Sequence, residues 1–306
     1  MTAREDPSER AGESRPRNSV YPVPRISVSS QPIFDAQSRE IRTIDRTQMN
    51  ILVTGGTGSL GREVVKRLID CGHRPRVLSR KPGGGDNWVQ GDIATGVGLD
   101  KAVIGMDAII HAASATVEPL RLRTTDVVGT RRLLAMAREA GVRHAVYVSI
   151  VGIEGVAYPY YRYKLAAEAV VRENIVPWSI LRATQFHTLM ERFLSGFTKV
   201  PGLATVPFQW QFQPVDPRDV ATRLVAVVTG EPSGMLPDFG GPEVRDFKSL
   251  AMSWLKARKS EKRLLNLWLP FKFSQQFSEG RLLSPEHMDG TTTFEQYLER
   301  RYAPHR

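Results

Sequence analysis

The chain has 306 residues, 41% of them hydrophobic, enough for one large α/β domain or two small ones. No apolar run reaches the roughly eighteen residues that a membrane span needs, and the single cysteine, Cys71, excludes an internal disulfide framework or a cysteine-built zinc site. The formal charge of +10 is carried by single arginines among acids, such as Arg131, Arg132 and Arg138, so it reads as a solvated basic surface and no nucleic-acid partner is expected.

Residues 1–48 are rich in Arg, Ser, Pro and Glu and show no sustained helical or strand period. Tyr21-Pro22-Val23-Pro24 cannot hold a helix, and little apolar surface offsets the entropy of ordering. Two readings stay open: a disordered extension, or a chain that truly starts at Met49. The first residues lack the apolar core of a secretory signal, and Glu5, Asp6, Glu9 and Glu13 interrupt the arginines that a transit peptide would need. A cytoplasmic setting is the expectation.

From Asn50 strands and helices alternate. Ile51-Leu52-Val53-Thr54 reads as a buried strand, and Leu60, Val64, Val65 and Leu68 fall at helical spacing up to Ile69. Arg76-Val77-Leu78, Trp88-Val89 and Ala108-Ile109-Ile110 are the next strands. A helix is expected through Val127, Leu133, Leu134 and Ala137, closed by Gly141. Ala145-Val146-Tyr147-Val148 is a fifth strand, a helix follows from about Tyr161 to Arg172, and Trp178-Ser179-Ile180-Leu181 is a sixth strand. Apolar strands separated by amphipathic helices imply an α/β, Rossmann-type, doubly wound parallel sheet covered on both faces. Its core spans about 49–184, and a small, mostly helical substrate region about 185–306.

Between the first strand and helix lies Thr54-Gly55-Gly56-Thr57-Gly58-Ser59-Leu60-Gly61. Gly55 allows the sharp turn, Gly58 lets the backbone approach a pyrophosphate, and Gly61 permits close packing of helix on sheet. The helix start, with Thr57, Ser59 and Leu60, offers free N–H groups and a partial positive charge to phosphates. An NAD binder usually places an acid about 20 residues further on, at the end of the second strand. Here that place reads Leu78-Ser79-Arg80-Lys81, with no acid until Asp86. Arg80 can pair bidentately with a ribose 2′-phosphate and Lys81 can add charge, so NADP(H) is favoured over NAD(H).

The glycine motif, Gly91-Asp92-Ile93, the His111-Ala112-Ala113 strand end and Tyr160-x-x-x-Lys164 together resemble the short-chain dehydrogenase/reductases. The resemblance runs from about Met49 to Tyr302 and is nearest to the extended-to-atypical branch, including NmrA-like NAD(P)H-binding proteins. Leu181-Arg182-Ala183-Thr184, Gln213-Pro214-Val215-Asp216, Arg218-Asp219-Val220 and Gly240-Gly241-Pro242 fit the same pattern. It implies that Asp92 approaches the adenine amino group, that Ile93 covers the ring, and that Ala112 and Ala113 lie under the nicotinamide ribose. It also implies that Tyr160 is the acid/base, while Lys164 lowers the tyrosine pKa and holds the ribose. The four-residue spacing puts both on one helix face, whereas Tyr161 and Tyr163 are left to packing or a pocket wall.

Two departures stand out. After the fifth strand the chain reads Ser149-Ile150, with Ile150 where many extended members carry a second Ser or Thr, so Ser149 is the remaining candidate for the carbonyl-polarising hydroxyl. In Asp126-Val127-Val128-Gly129-Thr130 an Asp replaces the Asn that orders the proton relay in the family. His111 reads as a satisfied polar group or pocket wall rather than a base, and His187 follows the sixth strand where substrate loops emerge. Trp254, Trp268, Phe271 and Phe273 read as core and lid packing, with a membrane-surface role for Leu264 to Phe273 as the lesser alternative. No metal site and no G-x-S-x-G elbow is present in the sequence. The expected function is an NADPH-dependent oxidoreductase moving hydride on a small carbonyl, alcohol or activated double bond. The other reading is a non-catalytic, NmrA-like dinucleotide sensor that binds a protein. Substrate and oligomeric state stay open.

Overall fold

In the computed structural model, which describes residues 48–116 and 118–303, β1 (Asn50–Thr54) runs into the glycine turn and α1 (Ser59–Asp70). There follow β2 (Arg74–Ser79), β3 (Trp88–Gln90), α2 (Leu99–Val103), β4 (Ala108–His111), α3 (Thr130–Glu139), β5 (His144–Ile150), α4 (Pro159–Arg172) and β6 (Trp178–Ala183). The C-terminal region adds α5 (His187–Phe197), β7 (Leu203–Val206), β8 (Gln211–Phe212), α6 (Pro217–Thr229), β9 (Gly234–Met235), β10 (Arg245–Asp246), α7 (Phe247–Ala257), β11 (Arg263–Asn266), α8 (Lys272–Ser278) and α9 (Phe294–Tyr302). The extension expected over 1–48 lies, Gln48 apart, outside the described residues. Among the described residues no helix is long and apolar enough to cross a membrane.

Seven strands form one parallel sheet in the order β3-β2-β1-β4-β5-β6-β9. Successive side chains of a strand point to opposite faces, and the two cores divide on that rule. Ile51, Val53, Ile110, Val146, Val148 and Leu181 face α1 and α6, while Leu52, Ile109, Ala145, Tyr147 and Ile180 face α2, α3 and α4. The order reverses between β1 and β4, which opens a crevice at their carboxyl ends.

The helix expected through Val127 begins as a π-helical turn, Arg123–Gly129, before α3 proper. Such turns recur at functional sites, and this one buries Asp126. The helix carrying Tyr160 starts two residues earlier than the sequence suggests, because Pro159 supplies a first-turn position whose N–H would be unpaired anyway. It is clamped to the sheet by Arg182 of β6, which donates two bonds of 2.9 and 2.7 Å to the fully buried Glu168.

A third core lies in the C-terminal region, where Trp210 stacks on Phe247 and Phe277 and meets Phe212 edge-on. Trp254 belongs to this core at 3% exposure, and Phe273 packs against it. Trp268 and Phe271 do not. They are 75% and 54% exposed in the segment between β11 and α8, where Phe271 touches the core only through its stacking on Phe273.

Candidate functional site

A cleft opens at the carboxyl ends of β1, β2 and β4. It is lined by Gly55, Thr57 and Gly58, by Ser79 and Arg80, by Asp92 and Ile93, and by the segment Ala112–Ala115 with Glu118, Arg121 and Thr125. Gly55 adopts φ +70°, and a Cβ there would come within 2.8 Å of the Ala112 carbonyl. A Cβ on Gly61 would lie 2.1 Å from the Gly55 oxygen, so only glycine lets α1 seat on the turn. At Gly58 the nearest obstacle is the Gly55 oxygen at 3.2 Å, and no side chain caps the first turn of α1. That turn therefore offers its N–H groups to the cleft mouth, which suits a pyrophosphate. Ser59 is exposed at the helix start, whereas the Leu60 side chain is in the core, leaving only its backbone to meet a ligand.

Arg80 enters the cleft from the end of β2, but Lys81 is exposed and does not line it. The acid that stands beside this strand end in space is Glu118. Arg80 donates to its two oxygens at 3.0 and 2.8 Å. Arg121 donates to Glu118 at 3.3 Å and also to Asp92. The hydrogen bond from Arg80 holds the half-buried Glu118 carboxyl below its usual range. Asp92 further accepts the Ala94 N–H, so both Asp92 and Ile93 stand in the cleft wall on a tight turn.

Beneath Ala112 and Ala113 runs a directed hydrogen-bond chain. The Thr130 hydroxyl donates to the Asp126 carbonyl, so it must accept from Nε2–H of His111 at 2.9 Å. His111 Nδ1 is then free to accept from Thr54 Oγ1 at 2.6 Å, and that oxygen takes the Ala113 N–H at 3.4 Å. Burial, with help from the Lys164 charge, pushes His111 down to about 3. It is a neutral, fully satisfied strut.

At the inner end of the cleft, Ser114 donates to Asp126 Oδ1 at 2.6 Å, and Asp126 Oδ2 accepts the Ala115 N–H. With its only proton so placed, Ser114 Oγ accepts from the Tyr160 hydroxyl at 3.1 Å, while Thr116 donates to the same phenol at 3.4 Å. Lys164 shares the helix face with Tyr160, yet the two side chains find different partners. The ammonium donates to the Val148 carbonyl at 2.7 Å and lies 4.1 Å over the Tyr147 ring. Burial lowers Lys164 to about 8 against the pull of Asp126 and Glu168, and burial raises Tyr160 above its ordinary value. The expected lowering of the tyrosine by the lysine is thus absent from this arrangement, because desolvation governs the phenol.

Ser149 is buried at the end of β5 with no hydrogen-bond partner for Oγ among the described residues, and so is the hydroxyl of Tyr147, two residues earlier on the same face. Tyr161 is core and Tyr163 is half-buried. His187 faces away from the cleft, donating from Nε2 to the Thr292 carbonyl at 3.0 Å against Phe294 and Tyr297. From Tyr160 an aromatic series runs outward through Tyr161, Tyr158 and Phe273 to Phe271. Ser114, Thr116, Glu118 and Arg121 escaped the sequence reading. Their only signal was position, directly after Ala112-Ala113.

A model of an NAD(P)H-binding family matches residues 55–198. A (4-alkanoyl-5-oxo-2,5-dihydrofuran-3-yl)methyl phosphate reductase of Streptomyces griseus is 36% identical over 191 residues, covering 59% of this chain and 63% of that protein. The photosystem II assembly factor Ycf39 of Synechocystis is 31% identical over 147 residues, 45% of each. The chain thus spans less than two thirds of the length of these curated relatives. Among solved structures, a short-chain dehydrogenase/reductase superfamily protein of Agrobacterium tumefaciens with bound NAD has a TM-score of 0.64 at 21% identity, covering 83% of this chain and 96% of that one. A UDP-glucose 4-epimerase of Thermotoga maritima has a TM-score of 0.64 at 17% identity, covering 82% and 96%. At these identities the likeness is one of fold.

Proposed function

We propose that this chain, whose residues 55–198 match an NAD(P)H-binding family and whose fold is like that of a short-chain dehydrogenase/reductase, is an NADPH-dependent reductase of a carbonyl or an activated double bond. The observation that carries the reading is the position of Ser114, which lines the cleft that begins at the glycine turn and also holds the Tyr160 hydroxyl. Tyr160 does not itself line that cleft but is bonded to Ser114, which does, and this supports Tyr160 as the acid beside a cleft whose glycine turn suits a pyrophosphate. The description of the Streptomyces relative as a reductase supports the direction of the reaction. The free thiol of Cys71 suits the reducing, cytoplasmic setting that we include in the reading.

Gly55, Gly58 and the start of α1 would hold the pyrophosphate, Asp92 and Ile93 the adenine, Arg80 the adenosine ribose, and Ala112, Ala113 and Lys164 the nicotinamide side. Bound NADPH supplies the hydride. Burial keeps Tyr160 protonated, which suits a donor in the reductive direction. Its O–H turns from Ser114 to the substrate oxygen. The phenolate left behind is met by the Thr116 hydroxyl and by the Ser114 hydroxyl as it rotates away from Asp126. Ser149, whose hydroxyl has no partner among the described residues, is assigned the polarisation of the substrate oxygen.

The test is NADPH oxidation across a panel of carbonyl compounds, enones and quinones. Tyr160→Phe should leave NADPH affinity unchanged and lower turnover at least about a hundredfold. Lys164→Ala should weaken both. Full activity in Tyr160→Phe would remove the proposed acid. The separate partners of Tyr160 and Lys164 favour a second reading, a non-catalytic dinucleotide sensor, in which no substrate of the panel is turned over and only Lys164→Ala weakens binding.

A further inference from the structure

We propose that Arg80 and Arg121 form a two-arginine clamp for the phosphate on the adenosine ribose, and that Glu118 is its resident counter-anion, displaced when that phosphate binds. The inference rests on the NADP(H) reading and adds two residues to it. Arg121 takes the part that the sequence alone gave to Lys81.

The geometry is that of a phosphate site with a carboxylate in it. Arg80 grips Glu118 with both terminal nitrogens, at 3.0 Å to Oε2 and 2.8 Å to Oε1, and Arg121 shares Oε2 at 3.3 Å. Planar guanidinium forks of this kind match a carboxylate and a phosphate equally well. Both arginines and Glu118 line the cleft, at the end of β2 where a dinucleotide presents its adenosine ribose. Arg121 is held by Asp92 on its far side, so it stays in place when Glu118 leaves. Glu118 is the exchangeable member. Its side chain is one-third exposed and flanks a short turn, Pro119–Arg121, whose middle residue Leu120 is 98% exposed. A phosphate monoester carries about −1.5 to −2 at neutral pH against −1 for a carboxylate, so the clamp prefers the phosphate by charge.

The same arrangement treats the two cofactors oppositely. With NADPH, Glu118 competes with the ribose phosphate for both arginines. With NADH no phosphate arrives, Glu118 stays, and its oxygens accept the ribose 2′-hydroxyl. A residue that merely stabilised the loop would move both affinities the same way.

The experiment measures Kd for NADPH and NADH by titration calorimetry on the full chain, wild type and variants, with the thermal midpoint of each variant as a folding check. Glu118→Gln keeps the shape of the side chain and removes its charge. It should tighten NADPH and weaken NADH, each severalfold. Arg121→Ala should weaken NADPH about tenfold, the scale of one lost charge-assisted contact, and leave NADH within about twofold. Arg80→Ala should abolish the preference altogether. If the wild type binds both cofactors equally, the NADP(H) reading falls and the clamp with it. If the wild type prefers NADPH and Arg80→Ala removes the preference, but Arg121→Ala and Glu118→Gln shift both cofactors alike or not at all, the reading stands and the clamp is wrong.

Discussion

The cofactor half and the C-terminal half of this molecule are built by different means. The walls of the cleft are mostly backbone: a glycine turn with φ +70° at Gly55, an uncapped helix start, and the strand end at Ala112–Ala113, braced by the neutral His111. The C-terminal half is held by aromatic side chains brought from far apart, with Trp210 between Phe247 and Phe277 and with Tyr161 of α4 in the same cluster. Backbone sites are local in sequence and announce themselves as motifs. Side-chain cores are long-range, and identical residue types in one stretch can end on opposite sides of the surface. Trp254 and Trp268, fourteen residues apart in number, show this most sharply, one buried and one exposed.

The largest effect expected from breaking the contrast is on stability. Trp254→Ala should cost about 3–5 kcal/mol in urea unfolding, the usual range for emptying a buried aromatic site, whereas Trp268→Ala should stay within about 0.5 kcal/mol. Equal losses would mean that Trp268 is packed after all and that the lid reading of the sequence was right.

On the cofactor side the probe is pH. The native Lys164 titrates at about 8 and the unfolded one near 10.5. Between these values the unfolded chain binds more protons than the native one, so native stability rises with pH. Below about 8 both states hold the proton, and the penalty for the buried charge is constant. The unfolding free energy of the wild type should therefore gain on that of Lys164→Met from pH 8 to pH 10, by at most about 1.4 kcal/mol per pH unit. A difference that stays flat across this window would show that Lys164 is solvated.

The smallest expected change in stability is at Ser149. Its hydroxyl is buried without a partner, so Ser149→Ala should leave the thermal midpoint unchanged or raise it, while lowering turnover about tenfold if the hydroxyl polarises the substrate. A stable variant with full turnover would transfer that duty to Ser114, the hydroxyl that lines the cleft.

The succession of strands and helices along the chain, the glycine turn and the placing of Tyr160 and Lys164 on one helix could be read from residue type and spacing, because each depends on neighbours a few positions away. The same was true of Arg80 at the end of β2. Glu118 could not be placed, because it reaches Arg80 across 38 positions of chain, and neither residue alters the local pattern of the other. Asp126 looked like a departure from the family pattern that the sequence resembles. In the fold it is an acceptor that turns the Ser114 proton away from the phenol, which decides that Tyr160 donates to Ser114. The direction of that bond, the separate lodging of Lys164 under Val148, and the exposure of Trp268 and Phe271 were settled only when distant segments met. Periodicity reports which face of an element is apolar, but what lies opposite that face, and how much water is left there to set a proton's affinity, is a property of the packed chain.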